Sequence, residues 1–191
     1  MVKIIKYIVI IFLLLIINSC SNKEDNITNP NITSIDFGDT TNAILLSSFE
    51  FNGNSCLEGW QSMDSISTFK YSFSSDVPLG GGDWSLQLRA IAYNSIGIDT
   101  TILLSTSDSL KNYILTFWAK GKGNLFFDLH TSDRGIGVTL PINSPSWNIF
   151  CDTLFRSDAG LNKLSILLTS SVSDSLANVL FDNIKVVVKS H

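Results

Sequence analysis

The chain has 191 residues, of which 45% are hydrophobic and only 16% charged, and its formal net charge is −4. That length suits one domain with a short extension. No cluster of Lys and Arg stands out, which excludes nucleic acid as a natural partner, and the acidic balance argues against direct attraction to anionic lipid head groups.

Taken in chain order, the first element is a signal. Lys3 and Lys6 precede the apolar run Tyr7 to Ile17. About eleven residues are too few to span a bilayer, which takes about twenty, but they fit the centre of a secretory signal peptide. Ile17-Asn18-Ser19-Cys20 resembles a bacterial lipobox, in which the cysteine is lipidated and becomes the first residue. Residues 1–19 are therefore expected to be a lipoprotein signal peptide and Cys20 the lipidation site, with an ordinary signal peptide or short anchor as the alternative. The remaining 172 residues would carry a charge of about −6, from 11 basic and 17 acidic side chains. Attachment to the membrane would come from acyl chains, and stable anchoring needs more than one.

Residues 20–42 are rich in Asn, Asp, Ser and Thr and read as a flexible tether. Their start, Cys20-Ser21-Asn22-Lys23-Glu24-Asp25, resembles the export signal of surface lipoproteins in Bacteroidetes-type bacteria. This implies an outer-membrane location. A polar tether alone has much the same composition, so periplasmic and surface-facing placements both stay open.

Residues 43–191 carry the domain. Alternating apolar residues predict strands near 45–51, 68–74, 84–93, 98–104, 113–120, 124–131, 135–141, 147–155, 163–170 and 178–188. Tyr113, Leu115, Phe117 and Ala119 share one face, and Leu86, Leu88 and Ala90 another. Breakers separate the runs at Pro78 to Gly82, Gly121 to Asn124 and Pro141 to Ser146. The Gly121-Lys122-Gly123-Asn124 sequence is expected to close a hairpin. No helical period is sustained over ten residues. About ten short strands imply an all-β sandwich or jelly roll of antiparallel strands.

With Cys20 assigned, Cys56 and Cys151 remain. In an exported protein they could form a disulfide, closing a loop of about 95 residues worth on the order of 4–5 kcal/mol. The alternative is two separate buried thiols. No Cys/His spacing suggests zinc.

Four fragments together resemble the carbohydrate-binding jelly-roll modules of the galactose-binding-domain-like group, especially families 4, 9 and 22. They are Ser48-Phe49-Glu50 with Gly59-Trp60; Gly81-Gly82-Asp83-Trp84-Ser85-Leu86; Tyr113 through Gly121; and Phe181-Asp182-Asn183-Ile184. The resemblance spans residues 45–189. It implies a jelly roll that binds glycans without catalysis. It also implies a structural calcium tying the first strand to the last, held by Glu50 and Asp182 with help from Gly82 and Asp83. Calcium takes six to eight oxygen ligands, so backbone carbonyls would have to complete the shell.

A sugar site needs a flat aromatic face and a few directed polar groups. Trp118 faces away from Tyr113, Leu115 and Phe117. Asp128 and His130 face away from Phe127 and Leu129, while Gln87 and Arg89 oppose Leu86 and Leu88. If these strands share a sheet, Trp118, Gln87, Arg89, Asp128 and His130 form one ligand-binding surface. Trp60, Trp84 and Trp147 are expected to pack in the core or loops, Trp147 inward, with Trp84 or Tyr93 as an alternative loop-tip site.

A glycosidase needs two carboxylates about 5–10 Å apart, and beyond the signal the only glutamates are Glu24, Glu50 and Glu58. A serine-hydrolase set would rest on His130 without a Gly-x-Ser-x-Gly turn. A structural or protein-interaction lipoprotein is the other reading to be tested.

Overall fold

From Tyr113 to Leu129 the odd-numbered side chains Tyr113, Leu115, Phe117, Ala119, Leu125, Phe127 and Leu129 are all buried, the period-two pattern of a strand with one face in a core. The computed structural model describes residues 36–62, 71–89, 97–105, 110–170 and 177–190. The signal segment, Cys20, Tyr93 and the expected strand ends at 68–70 and 90–93 lie outside them. Within the unit Ile32–His191 the described strands are β1 (Ala43–Ser47), β2 (Glu50–Phe51), β3 (Asn54–Ser55), β4 (Gln61–Ser62), β5 (Tyr71–Ser74), β6 (Ser85–Arg89), β7 (Gly97–Leu103), β8 (Lys111–His130), β9 (Gly135–Arg156), β10 (Lys163–Ser170) and β11 (Asn178–Ser190). All pairings are antiparallel.

The long β8–β9 hairpin belongs to two layers. Residues Lys111 to Gly121 of β8 pair with β11, which carries β6 and β1 on its far side, and β5 pairs β6. Residues Gly123 to His130 pair with β10, followed by β7 and β4. β9 flanks β8 throughout. Leu86, Val179, Phe181, Val186 and Phe117 from the first layer meet Ile98, Leu164, Ile166, Leu168 and Phe127 from the second in one hydrophobic core.

The expected hairpin at Gly121–Asn124 is not a turn. Pairing with β9 continues through Gly121, Lys122 and Gly123, so two expected strands merge into β8 and two more into β9. Gly121 bends the strand with φ +107°, and a Cβ there would overlap the Asn178 carbonyl oxygen, so only glycine fits. The β9 strand takes up the bend with extra residues between Ser144 and Asn148. Pro141 and Pro145 are tolerated because β9 pairs only with β8 among the described strands, leaving its outer edge without a ladder to interrupt. The true turn is at Thr131–Arg134, where the Thr131 amide donates to the Arg134 carbonyl at 2.8 Å and the Thr131 hydroxyl accepts from the Asp133 and Arg134 amides.

The expected strand 45–51 breaks at Phe49, whose φ of +59° turns its ring into the core against Trp60, 5.5 Å between centroids. Trp60 is buried as expected, and its Nε1 donates to Ser47 Oγ at 2.9 Å. Cys56 and Cys151 are not bridged. Cys151 sits on the exposed outer face of β9 opposite Thr116, while Cys56 follows β3, its amide bonded to the Phe49 carbonyl.

Candidate functional site

The bend in β8 decides how the expected ligand residues are distributed. Trp118 lies on the outer face of the first layer. Ten residues further along, roughly 33 Å of strand contour, Asp128 and His130 lie on the outer face of the second. Inner faces of a sandwich look at each other and outer faces look apart, so the expected five-residue surface is not formed. Gln87 and Arg89 do share the first layer with Trp118. Gln87 stands two strands away, in the row Gln87–Leu180–Lys120, roughly 12 Å from Trp118 by sheet spacing, and its Oε1 accepts from Ser72. Arg89 is farther along, opposite Asn178, and exposed.

Between Gln87 and Trp118 runs a polar bridge. Asp76 accepts from Lys120 Nζ at 2.6 Å and from Trp147 Nε1 at 2.8 Å, and these donors hold its carboxyl below the usual range, the Lys120 hydrogen bond foremost. Trp147 therefore does not pack inward as expected: it is half-buried with its indole nitrogen engaged by Asp76. Trp84 is also half-buried, and its Nε1 donates to the Gly53 carbonyl at 3.1 Å.

Trp118 itself lines a cleft of about 240 Å³ with Thr116, Ile149, Asn183, Lys185 and the segment Asp36–Gly38. Cross-strand pairing sets this group: Trp118 opposes Ile149 on β9, and Thr116 opposes Lys185 on β11. Lys185 Nζ donates to the carbonyls of Phe37, at 2.6 Å, and Asp39, at 2.9 Å, leaving one of its three N–H donors. The Asp36 amide donates to the Gly80 carbonyl and the Val188 amide to the Asn42 carbonyl. Residues 36–42, assigned to the tether by composition, are thus fastened to the domain and form one wall of the cleft. Sequence reading missed Lys185, Ile149 and Asn183. The available signal was Phe37, an aromatic in an otherwise polar stretch.

Beside this cleft two carboxylates approach each other, Asp182 buried and Glu50 half-buried. Asp182 is fully buried. Its Oδ1 accepts from the Asn183 amide at 2.7 Å, while Oδ2, like Asn183 Oδ1, has no hydrogen-bond partner. Burial, with Glu50 nearby, pushes the Asp182 carboxyl up to about 8. Glu50 Oε2 accepts the amides of Asp83 at 2.7 Å and Trp84 at 2.9 Å. A Cβ on Gly81 would come within 2.5 Å of Asp182 Oδ2, and one on Gly82 would overlap Glu50 Oε1. Glycine backbone therefore closes over two carboxylates. Asp83 contributes its amide, while its carboxylate lies toward the Gly53 turn, near where a Cβ of Gly53 would stand. Among the described residues no three His, Cys, Asp or Glu side chains converge as a metal cluster. The acidic groups brought together here are Glu50 and Asp182, with backbone amides turned toward Glu50.

On the second layer, His130 Nε2 lies 2.8 Å from Ser165 Oγ, which is 2.7 Å from Thr101 Oγ1. Asp128 stands 4.0 Å from His130, and burial raises its carboxyl above the usual value, partly offset by His130.

No protein-family profile and no curated protein matches the chain. Solved structures do. A family 16 carbohydrate binding module-2 superposes with a TM-score of 0.52 at 19% identity, covering 66% of this chain and 92% of that chain. The CBM22-1 xylan-binding domain from Paenibacillus barcinonensis Xyn10C gives 0.52 at 15% identity, covering 78% and 96%. The C-terminal family 22 carbohydrate binding module of Clostridium thermocellum Xyn10B gives 0.54 at 13% identity, covering 79% and 97%. The chain is an all-β jelly-roll sandwich with the architecture of carbohydrate-binding modules. At these identities the likeness is one of fold.

Proposed function

We propose that this protein is a non-catalytic glycan-binding lipoprotein, anchored in the outer membrane through lipidated Cys20. The observation that carries the reading is the Trp118 cleft: a half-buried indole beside polar donors and acceptors, on a fold shared with carbohydrate-binding modules. The indole supplies a flat apolar face for a pyranose ring. Thr116 and the third donor of Lys185 take hydroxyl groups at the ring edge. Gln87 and Arg89 serve an extended ligand on the same face. Asp128 and His130, on the other layer, stand outside this site. Among the described residues the Trp118 cleft is lined by one acidic side chain, Asp36, where glycosidic cleavage takes a flanking pair, which supports capture without cleavage. A glycan array probed with the full chain, with and without calcium, tests the reading; no retained glycan on any spot refutes it.

A structural divalent cation, such as calcium, belongs to the same proposal. Glu50 and Asp182 would hold it, and the cation would supply positive charge to two crowded carboxylates. The unpartnered Asp182 Oδ2 and the glycine backbone closed over both groups support this role. A chelator should lower the melting temperature by several degrees; an unchanged value removes the cation.

A protein partner is the second reading. Ile149 and Phe155, 59% and 36% exposed, lie on the outer side of β9 in the layer that carries Trp118, and apolar groups exposed together favour macromolecular contact. Binding of a cell-surface protein at this face with no glycan retention would select it.

A further inference from the structure

A second cleft, of about 230 Å³, lies beside the first and is lined by Phe37, Leu46, Phe51, Glu50 and Glu58 among others. Phe37 lines both. The relation is fixed by strand register. Leu46 of β1 opposes Lys185 of β11, and Lys185 opposes Thr116 of β8. Leu46 borders one cleft and Thr116 the other, so the two stand about 10 Å apart across two strand spacings. The segment carrying Phe37 crosses that row and is pinned there by Lys185 and by the Gly80 carbonyl.

Resting on the glycan reading above, we propose that the two clefts are subsites of one groove divided by Phe37, and that the groove takes a chain oligosaccharide rather than a terminal sugar. Each side offers a surface for an apolar sugar face: Trp118 in the first cleft and Phe51, 47% exposed, in the second. Each also offers polar groups, Thr116 and Lys185 on one side and Glu58 on the other. Phe37 stands at the rib between them and contacts the sugar that crosses it. The segment Asp36–Gly38 thereby contributes a wall of the binding groove.

The test uses the full chain in detergent and two ladders, xylose to xylohexaose and glucose to cellohexaose, with affinity read by titration calorimetry. In the wild type, the ladder that binds should gain at least tenfold in affinity between the disaccharide and the hexasaccharide. Phe51→Ala, at an exposed position, should remove most of that gain, and Phe37→Ala, at the rib shared by both clefts, should lower hexasaccharide affinity by more than disaccharide affinity. Trp118→Ala should weaken every length. Affinity that is flat with length in the wild type, or a gain that survives both phenylalanine variants, overturns the two-subsite groove while leaving glycan binding standing. Failure of both ladders and of the glycan array removes the underlying reading, and the groove with it.

Discussion

Replacing Asp182 by asparagine should stabilise the cation-free protein at neutral pH. The carboxyl ordinarily titrates at 3.8, and in the folded chain burial, with Glu50 nearby, raises it to about 8. A folded-state value above the unfolded one means that the native protein holds a proton the unfolded chain has released. The resulting stability is fully present below about pH 4, declines as pH rises, and is exhausted above about pH 8. At about 1.4 kcal/mol per pH unit, the wild type should lose on the order of 4 kcal/mol between pH 5 and pH 8. Asparagine mimics the protonated carboxyl and keeps an acceptor for the Asn183 amide. The variant should therefore gain on the order of 3–4 kcal/mol at pH 7 and show a nearly flat profile. A smaller slope from Asp128, whose carboxyl is also raised, should remain. Asp39, Asp76 and Asp158 are shifted downward, so their effect falls below this window. The assay is urea denaturation in a chelator at pH 5, 6, 7 and 8. A wild-type midpoint constant from pH 5 to 8, or an asparagine variant that is less stable at pH 7, would refute the account of the buried Asp182 carboxyl. Added calcium should reverse the order of the two proteins if Glu50 and Asp182 hold it.

Gly121→Ala places a Cβ on the Asn178 carbonyl at a positive-φ backbone position. It should cost about 3 kcal/mol or more, and a melting temperature within about two degrees of wild type would show that β8 does not bend as described. Gly82→Ala should cost a similar amount by displacing Glu50, and its loss should shrink when Glu50 is also shortened to alanine. The thiols of Cys56 and Cys151 should both react with a maleimide after unfolding without reductant, with Cys151 labelled first in the native protein. A mass showing neither thiol labelled after unfolding would restore the disulfide.

The fold was legible because burial is written in strict alternation. Tyr113 to Ala119 and Leu125 to Leu129 name their faces without any tertiary information. The error at Gly121–Asn124 came from treating glycine as a turn residue. Glycine is also what a strand requires where another backbone approaches closely, as Asn178 does here, and only the neighbouring strand reveals which applies. The site was less legible for the same reason. Trp118 and Asp128 have the same parity on one strand, which places both outside, but parity cannot tell that a bend sends them to opposite sides. Lys185 and Asn183 reach the cleft through a bulge in β11, where the register shifts between Asp182 and Lys185 and Asn183 takes φ +46°. A bulge of this kind depends on pairing with β8 and leaves no periodic mark. The wall formed by Asp36–Gly38 was hidden by its composition, since polar residues hydrogen-bonded through their backbone look like a linker.

The most direct measurement compares Trp118→Ala with His130→Ala on an affinity gel carrying the best glycan from the array. The two residues lie on one strand but on opposite outer faces. Glycan capture on the first layer predicts that the tryptophan variant elutes unretarded while the histidine variant is held like the wild type. Retention of the tryptophan variant with release of the histidine variant would contradict it and move the binding face to the other side of the sandwich.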